Sequence, residues 1–567
     1  MDTDIDILIV GGGPVGMMAA YMFAHLGQRC TLIEQSTTTT IYPKMELSNH
    51  RTMEIHRQIG LLERVRAKAV PEQFDLDEII STGYGEHGKA IHTWTRESPA
   101  ALRQKWAKIN NGAYPLEPYM RQNQITFEAL MKSVVQSEPL IDDRWGFTFK
   151  SLKEEDEAVI ATVIDPAGKE IQIKSKYLIG CDGGGSGVRK SAGIISPRDT
   201  LPFQAVSVHF KSKEASKLLQ QGHYWHMMFL NGAALINQDE GETWTFLQSV
   251  PPDADLSAAL EALEPRTAIY QSLGGLGQPF NFHIDEILTQ YKWKSDLAIA
   301  ESFRSAKGRV LLAGDAAHQL SPVGGHGMNS GIQDVYGLSW KLVAVLRGYG
   351  GDALLDSYSF ERRKTAQLNR KMVEKATHEV ALPIFTAAIT IGAERLMAED
   401  EEAQKIREGL KAQFAEGHWL HGQNGIYIGY RYNGSPIIVP DQAVPEPAES
   451  VTELIPTTWP GSRAPHVFLK DGKTSIFDLY GSGFTIVDFT PTGSTADQFL
   501  AAAKSLDIPI SKVHIPEEKH CRDVWERDVV LVRPDGFVAW RVPTGNSWPG
   551  DLDAVTDVLR TAVGKSS

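Results

Sequence analysis

The 567-residue chain is too long for one ordinary hydrophobic core, so two or three domains are expected. Hydrophobic residues make up 42% and charged residues 22%, and a formal net charge of −13 with no basic cluster argues against nucleic acid or an anionic membrane surface as partner. Three distant cysteines (Cys30, Cys181, Cys521) without a CxxC exclude a disulfide framework and a zinc ribbon, and with no signal peptide and no spanning run expected, the default reading is a cytoplasmic enzyme.

In chain order, Ile5–Val10 is a short apolar run that reads as a buried strand. It feeds Gly11-Gly12-Gly13-Pro14-Val15-Gly16 and then small and apolar residues from Met17 to Leu26 that read as a helix. This is GxGxxG between strand and helix. Gly11 permits the tight turn, Gly13 lets a pyrophosphate approach the backbone, and Gly16 lets the helix lie close on the strand. Thr31–Ile33 reads as a second strand, ended by Glu34 eighteen residues past Gly16, near the spacing of an acid that takes ribose hydroxyls. Lys44 to Leu62 has the pattern of an amphipathic surface helix, and residues 74–110 lose the α/β rhythm as an inserted segment would. Tyr119 to Val135 reads as a helix with Arg121 and Gln124 at its head. An Arg there pairs with phosphate or is a solvated charge, and both readings stay open.

Two hairpin strands, 158–164 and 169–173, flank the turn Pro166-Ala167-Gly168. Tyr177–Ser186 is again an apolar run ending in an acid and glycines; Asp182 there is a ligand or only a helix cap. From Pro197 to Ser295 polar and apolar residues alternate, predicting an antiparallel sheet. Its His209, His223 and His226 are candidates to face a pocket, although each alone is better explained as structural, and no metal-ligand spacing stands out. The most informative stretch is Arg309–Leu342. Val310–Ala313 reads as a buried strand, Gly314-Asp315 breaks it, and a Gly-rich loop with one proline enters a helix near Met328. Asp315 can accept hydrogen bonds from a polyol, while loop amides and the positive helix end can hold an electron-rich group. A helical pattern continues through Tyr358–Lys375. The Pro-rich segment 430–463 reads as a linker. From Pro465, strands HVFL, FTIVDF, VVLVRP and FVAWRV and helices TADQFLAAAKSL and DLDAVTDVLRTAV give a small α/β unit.

GGGPVG with Glu34, CDGGGSGVRK and GDAAHQLSPVGGHGMNSGIQDVYGLSWKL, in that order, resemble the three motifs of the single-component flavoprotein aromatic hydroxylases of the p-hydroxybenzoate hydroxylase fold. PKMELSNHRTMEI and the unit starting RAPHVFLKDG resemble the phenol hydroxylase branch with its thioredoxin-like tail. The resemblance implies an α/β (α+β) architecture. A discontinuous Rossmann-like FAD-binding domain (1–73, 111–190, 296–400) is interleaved with an antiparallel-sheet substrate domain (74–110, 191–295). A helix and linker (401–462) lead to a thioredoxin-like domain (463–567), which lacks CxxC and is expected to be structural. It implies FAD as cofactor, with Gly11, Gly13, Pro14, Val15 and Gly16 around the pyrophosphate and Glu34 and Gln35 at the adenosine ribose. Arg121 falls on the phosphate or ribitol side, Gly314 and Asp315 at the ribityl chain, Asp182 in the motif shared by FAD and NAD(P)H, and Lys44 where many relatives carry Arg. Gly325, Gly327, Met328 and Asn329 face the flavin pyrimidine edge, and the Pro322 carbonyl borders the reacting ring as the one catalytic candidate.

The chemistry implied is monooxygenation with NADPH or NADH and O2 through a flavin C4a-hydroperoxide, hydroxylating a phenolic or aromatic, polyketide-like substrate. With no second GxGxxG, the nicotinamide cofactor cannot be specified. The alternative is a Baeyer–Villiger or epoxidising enzyme on the same scaffold. A non-catalytic FAD- or prenyl-binding protein is the third reading, and the complete Gly-Asp loop argues against it. The expected partners are a small aromatic substrate, O2 and NAD(P)H, with no metal, no nucleic acid and no membrane; a homodimer stays open.

Overall fold

β1 (Asp2–Val10), α1 (Pro14–His25) and β2 (Cys30–Glu34) form the first β-α-β unit of a computed structural model that describes residues 2–84, 88–544 and 550–565. Residues 1, 85–87, 545–549 and 566–567, which fall within the expected domain ranges, lie outside those described. Strand Glu170–Gly180 pairs in parallel with β1 from Ile173 to Gly180, and Val310–Leu312 adds to it in parallel at Leu178–Gly180. Ile7, Leu8, Ile9, Leu178, Ile179, Val310, Leu311 and Leu312 are all fully buried, as parallel strands covered on both faces require. The hairpin strand and the strand before Asp182, separate in the sequence reading, are one eleven-residue element. Its first half pairs antiparallel with Val159–Ile164 and its last residues belong to the parallel core.

Among the described residues the second sheet has eight strands, with the two-residue strand His318–Gln319 at one edge. The long pair Arg198–Lys211 and Glu286–Ile299 lies beside Thr243–Val250, Ala233–Asn237 and His226–Phe229, and the inserted segment contributes Glu78–Ser81 and Ala90–Trp94. One face carries Val208, Phe210, Leu235, Phe246, Met227 and Ile79, packed with Ile269 and Leu273 of helix Pro265–Leu273. The other face looks toward the first sheet's loops.

The C-terminal four-stranded sheet runs Ile510–His514, Phe484–Asp488, Val529–Val532, Val538–Arg541. HVFL is not a strand: only Phe468 makes an isolated bridge, to Ser475. Strand Ile510–His514 and helix Lys519–Trp525 were not legible as elements. Ile486 and Leu531 face a core completed by Trp340, Ala344 and Leu354, so this sheet and the helices Gly327–Leu346 and Ala353–Ala376 share apolar contacts.

The expected surface helix in 44–62 is instead helix His50–Gln58, with His50 through His56 buried. Its charges are answered from the tail. Arg51 Nη2 donates to the Asp535 carbonyl at 2.5 Å, and Arg463 Nε donates to Glu54 Oε2 at 2.9 Å. A larger buried network lies alongside. Arg533 donates to Glu361 Oε1 and Oε2 at 2.6 and 2.9 Å, Lys341 Nζ to Glu361 Oε2 at 2.6 Å, and Ser435 Oγ to Oε1 at 2.6 Å. Burial alone would raise the Glu361 carboxyl, but Arg533 and Lys341 outweigh it and hold it down at about 2. The segment 430–463 is thus packing material as well as connection: Tyr430, Tyr432 and Ile437 are buried.

Replacing Arg533 with Ala strands the Glu361 and Asp535 carboxylates, and breaking a buried pair in this way typically costs about 3–5 kcal/mol. Urea unfolding should show a loss of that order; an unchanged midpoint would mean the network does not dock the tail.

Candidate functional site

Three sequence-distant loops meet at the carboxyl edge of the parallel strands. Gly11 has φ +109°, and a Cβ there would strike the Cys181 carbonyl, so the first loop lies against the backbone that leads into Asp182. A Cβ on Gly331 would strike Val15, and one on Gly314 would lie 3.0 Å from Val15 Cγ2. Val15, on α1, is therefore wedged against the Gly314 turn and helix Gly327–Leu346. Arg189 ties the other two loops: Nη1 donates to the Ala316 carbonyl at 2.8 Å and Nη2 to the Gly184 carbonyl at 3.1 Å. It stands inside a quoted motif, yet its partner is 127 residues away and left no local signal.

Around this junction the groups suit a dinucleotide. Gly13 caps α1 without a side-chain bond, and a Cβ there would meet nothing within 4 Å, so the helix N-terminus is open. Glu34 accepts from the Gly12 amide at 2.6 Å and the Ser36 amide at 2.8 Å, which fixes its carboxylate beside the glycine loop. Gln35 next to it is exposed. Asp315 is solvent-accessible but recessed: surrounding protein raises its carboxyl's pKa, with His318 and Lys44 opposing. Its oxygens accept no hydrogen bond from the described residues, while a Cβ on Gly327 would lie 3.9 Å from Oδ1. Acceptors on this floor, an open helix end and a nearby lysine fit the ribityl, pyrophosphate and ring of FAD.

Other candidates take different parts. Asp182 accepts from Ser186 Oγ at 2.5 Å and the Val188 amide at 3.0 Å, so it braces the first turn of the short helix Gly187–Ser191, whose N-cap is Ser186. The Asn329 side chain is consumed internally: it accepts from the Asn49 amide (2.9 Å) and Thr52 Oγ1 (2.7 Å) and donates to the Leu47 and Gly325 carbonyls. The Pro322 carbonyl accepts from the Gly325 amide at 3.0 Å. Arg121 lies in strand Met120–Arg121, ahead of helix Gln124–Ser137 rather than at its head. Its guanidinium pairs with Glu240 and donates to the Asn237 carbonyl at 2.5 Å, so it is not solvated and the anion it meets here is a protein carboxylate.

Opposite the loops, strand register lines up Glu78, His226, Ile236, Thr245, His209 and Thr289 in one row across the second sheet. Of the three histidines proposed for a pocket, His209 and His226 are in this row; His223 pairs with Glu240 at 2.8 Å. Glu46, two residues after Lys44, reaches the row. It lies 2.9 Å from His226 Nε2 and accepts from Gln238 Nε2 at 2.9 Å, and Gln238 also donates to Thr245 Oγ1 at 3.0 Å. Tyr291 Oη donates to the Pro43 carbonyl at 3.3 Å. Segment 42–46 is thus held between the Asp315 floor and the sheet. On the far side, His421 Nδ1 is 3.5 Å from Glu78, and Tyr427 Oη donates to the Gly324 carbonyl at 2.9 Å.

Burial opposes a charge on His226, but the hydrogen bond with Glu46 and the Glu78 carboxylate 3.8 Å away hold its pKa up at about 9. A folded value above the ordinary one of about 6.5 gives stabilisation that is complete below that pH. It is lost as pH rises through about 9. The stability difference between wild type and His226→Gln should be flat in acid and shrink across that window in urea titrations. A pH-independent difference would show that the ring is neutral.

Residues 4–373 match the family model described as FAD binding domain, and 457–566 that of the C-terminal domain of aromatic-ring hydroxylases. The chain is 38% identical over 554 residues to the FAD-dependent monooxygenase apdD of Emericella nidulans, covering 94% of this chain and 87% of that one. It is 29% identical over 584 residues to phenol 2-monooxygenase of a Pseudomonas species, covering 95% and 90%. The flavin-dependent monooxygenase PieE, solved with FAD and substrate, aligns over the full length of both chains at a TM-score of 0.85 and 26% identity. Among the described residues no helix is long and apolar enough to cross a membrane. With both family models matched and the loops assembled as FAD requires, the chain belongs to the FAD-binding aromatic-ring hydroxylases, flavoprotein monooxygenases that use NAD(P)H and dioxygen.

Proposed function

We propose that this enzyme hydroxylates a phenolic ring of a fused, polyketide-like aromatic. The observation that carries the reading is the convergence of the three loops opposite a polar row of the substrate-side sheet. Residues 1–73, 111–190 and 296–400 would hold FAD, and 74–110 with 191–295 the substrate. Gly11, Gly13 and Gly16 would cradle the pyrophosphate, Glu34 the ribose, Asp315 the ribityl hydroxyls, and the backbone of Gly327–Asn329 the pyrimidine edge. When bound, FAD supplies hydride acceptance from NAD(P)H and activation of dioxygen. The chain's own part is to bind, exclude water and favour the electron-rich form of the ring. On that face His226 lies between Glu46 and Glu78, which take up both of its ring nitrogens, and Glu46 would be the acceptor for the phenol proton. Three free cysteines suit a cytoplasmic setting.

Asp315→Ala should weaken FAD binding by about 1.5–3 kcal/mol, roughly tenfold or more, in fluorescence titration of the FAD-stripped protein. Wild-type affinity in that variant would overturn the placement of the ribityl chain.

A ring hydroxylase needs an electron-rich carbon, whereas a Baeyer–Villiger oxidation needs a ketone. A screen of fused phenols for stimulated NAD(P)H oxidation should yield products heavier by one oxygen with the ring intact. Methyl ethers of the same phenols should be oxygenated poorly while still consuming some NAD(P)H. Undiminished turnover of the ethers, or a lactone as first product, would favour the alternative chemistry.

A further inference from the structure

The inner face of the second sheet is divided. Next to the polar row, register sets Met228, Ala234, Leu247, Ser207 and Tyr291 in line, and Trp293 follows beside Ala205. Histidine, carboxylate and threonine thus give way to apolar and aromatic side chains on the same face. Strand Glu286–Ile299 carries the whole change, since Thr289, Tyr291 and Trp293 alternate onto that face. Trp293 lies four residues beyond Thr289, about 13 Å at the rise of a strand.

Burial separates the side chains that pack from those that border space. Ala205, Ser207 and Ala234 are 0%, 1% and 5% exposed. Leu247, Tyr291 and Trp293, on the same face, stay half-buried, as do Glu46 and His226 at the polar row, with side chains 18% and 22% exposed. Inward-facing side chains left half-open line the gap between this sheet and the loops assigned to FAD. The aromatic end of the gap is fixed in place. Trp293 Nε1 donates to Ser207 Oγ at 3.3 Å, and Phe203 meets the indole edge-on with ring centroids 5.3 Å apart. Phe203 also stacks at 5.2 Å on Phe385 of helix Leu382–Ile391. Tyr291 is edge-on to Tyr42 at 5.4 Å and bonded to the Pro43 carbonyl, so segment 42–46 links these rings to Glu46. A ring already held in one orientation loses little freedom when a flat partner lies on it, and offset stacking adds to the area covered.

We propose that Trp293, with Tyr291 and Leu247, is the stacking wall for the unreacted rings of the substrate, and that its distance from the polar row makes the enzyme select an extended aromatic over a single ring. This rests on the reading of the enzyme as a phenol hydroxylase with Glu46 at the phenol, and it deepens that reading by naming the residue that senses ring count. A phenol ring held at Glu46 ends well short of the indole, whereas a linear tricycle spans most of the gap.

The test uses FAD-loaded enzyme without NAD(P)H and three probes, phenol, 2-naphthol and anthracen-2-ol, with binding read by calorimetry. Wild type should bind the tricycle most tightly and phenol least. Trp293→Leu should weaken the tricycle by about tenfold or more while phenol binds within about twofold of wild type. Trp293→Phe, which keeps a ring, should recover most of that loss. If Trp293→Leu fails to retain FAD, Trp293→Met and Leu247→Ala carry the same comparison. Equal losses for phenol and the tricycle, no loss for either, or wild type binding the tricycle no better than phenol would overturn the proposal. The turnover screen keeps the two readings apart. The expected binding pattern without oxygenation of any phenol would sink the hydroxylase assignment and leave the wall, and oxygenation with no dependence on ring count would do the reverse.

Discussion

The buried carboxylate of Asp334 holds the cofactor side of this enzyme together. Its Oδ2 accepts from the Gly314 amide at 3.0 Å and lies 2.6 Å from His318 Nε2, and its Oδ1 accepts from Arg362 Nε at 2.8 Å. One side chain on helix Gly327–Leu346 therefore fixes the turn that carries Asp315. It also anchors His318, which pairs with Ile299 of the second sheet, and the helix Ala353–Ala376. Burial would raise its pKa, but His318 and Arg362 outweigh that and keep it ionised. Arg362 extends the network to the Tyr430 and Tyr432 hydroxyls. A buried ion pair is not a cheap source of stability, but with its partners in place it admits only one arrangement of the elements around it. The loop that presents Asp315 is therefore held on both sides before any ligand arrives, as a preorganised site requires.

The tail uses the same two helices. Trp340 is on the first and Glu361 on the second, and both bond to the 533–535 turn of the C-terminal sheet, Trp340 Nε1 to Asp535 Oδ2 at 3.0 Å and Glu361 to Arg533. Cys521, its only cysteine, is buried in an apolar core, where burial raises its thiol's pKa to about 12. An inert thiol in a domain whose sheet braces helices Gly327–Leu346 and Ala353–Ala376 is a structural part.

Much of this was legible because it is local. Strand, glycine turn and helix follow one another in Ile5–Leu26 and again in Val310–Leu346, and their burial and spacing are written in consecutive residues. What could not be read was whatever depends on a distant partner. Arg121 looked like a solvated or phosphate-binding charge because Glu240, its partner, is 119 residues away. Helix His50–Gln58 looked amphipathic because its one local pair, Arg51–Glu54, does not show that it is buried; Arg463 and Asp535 complete its charges from over 400 residues downstream. Asp334 and Arg362 sit in helical patterns that show no sign of chemistry. Ile510–His514 is half-exposed, so its alternation was too weak to register as a strand.

The strand Glu170–Gly180 has a consequence for how the protein comes into being. Its neighbours in the first sheet come from residues 2–10, 159–164 and 310–312, so the sheet cannot close until more than half of the chain exists. At about 5–20 residues added per second, strand Glu170–Gly180 waits on the order of ten seconds on the ribosome for Val310–Leu312. During that interval the Leu178–Ile179 edge is unpaired, and neither it nor Ile7–Val10 has cover from helix Gly327–Leu346. Non-local pairing of this kind is slow and exposes aggregation-prone surface. The nascent chain, more than the finished enzyme, is where chaperones would be needed.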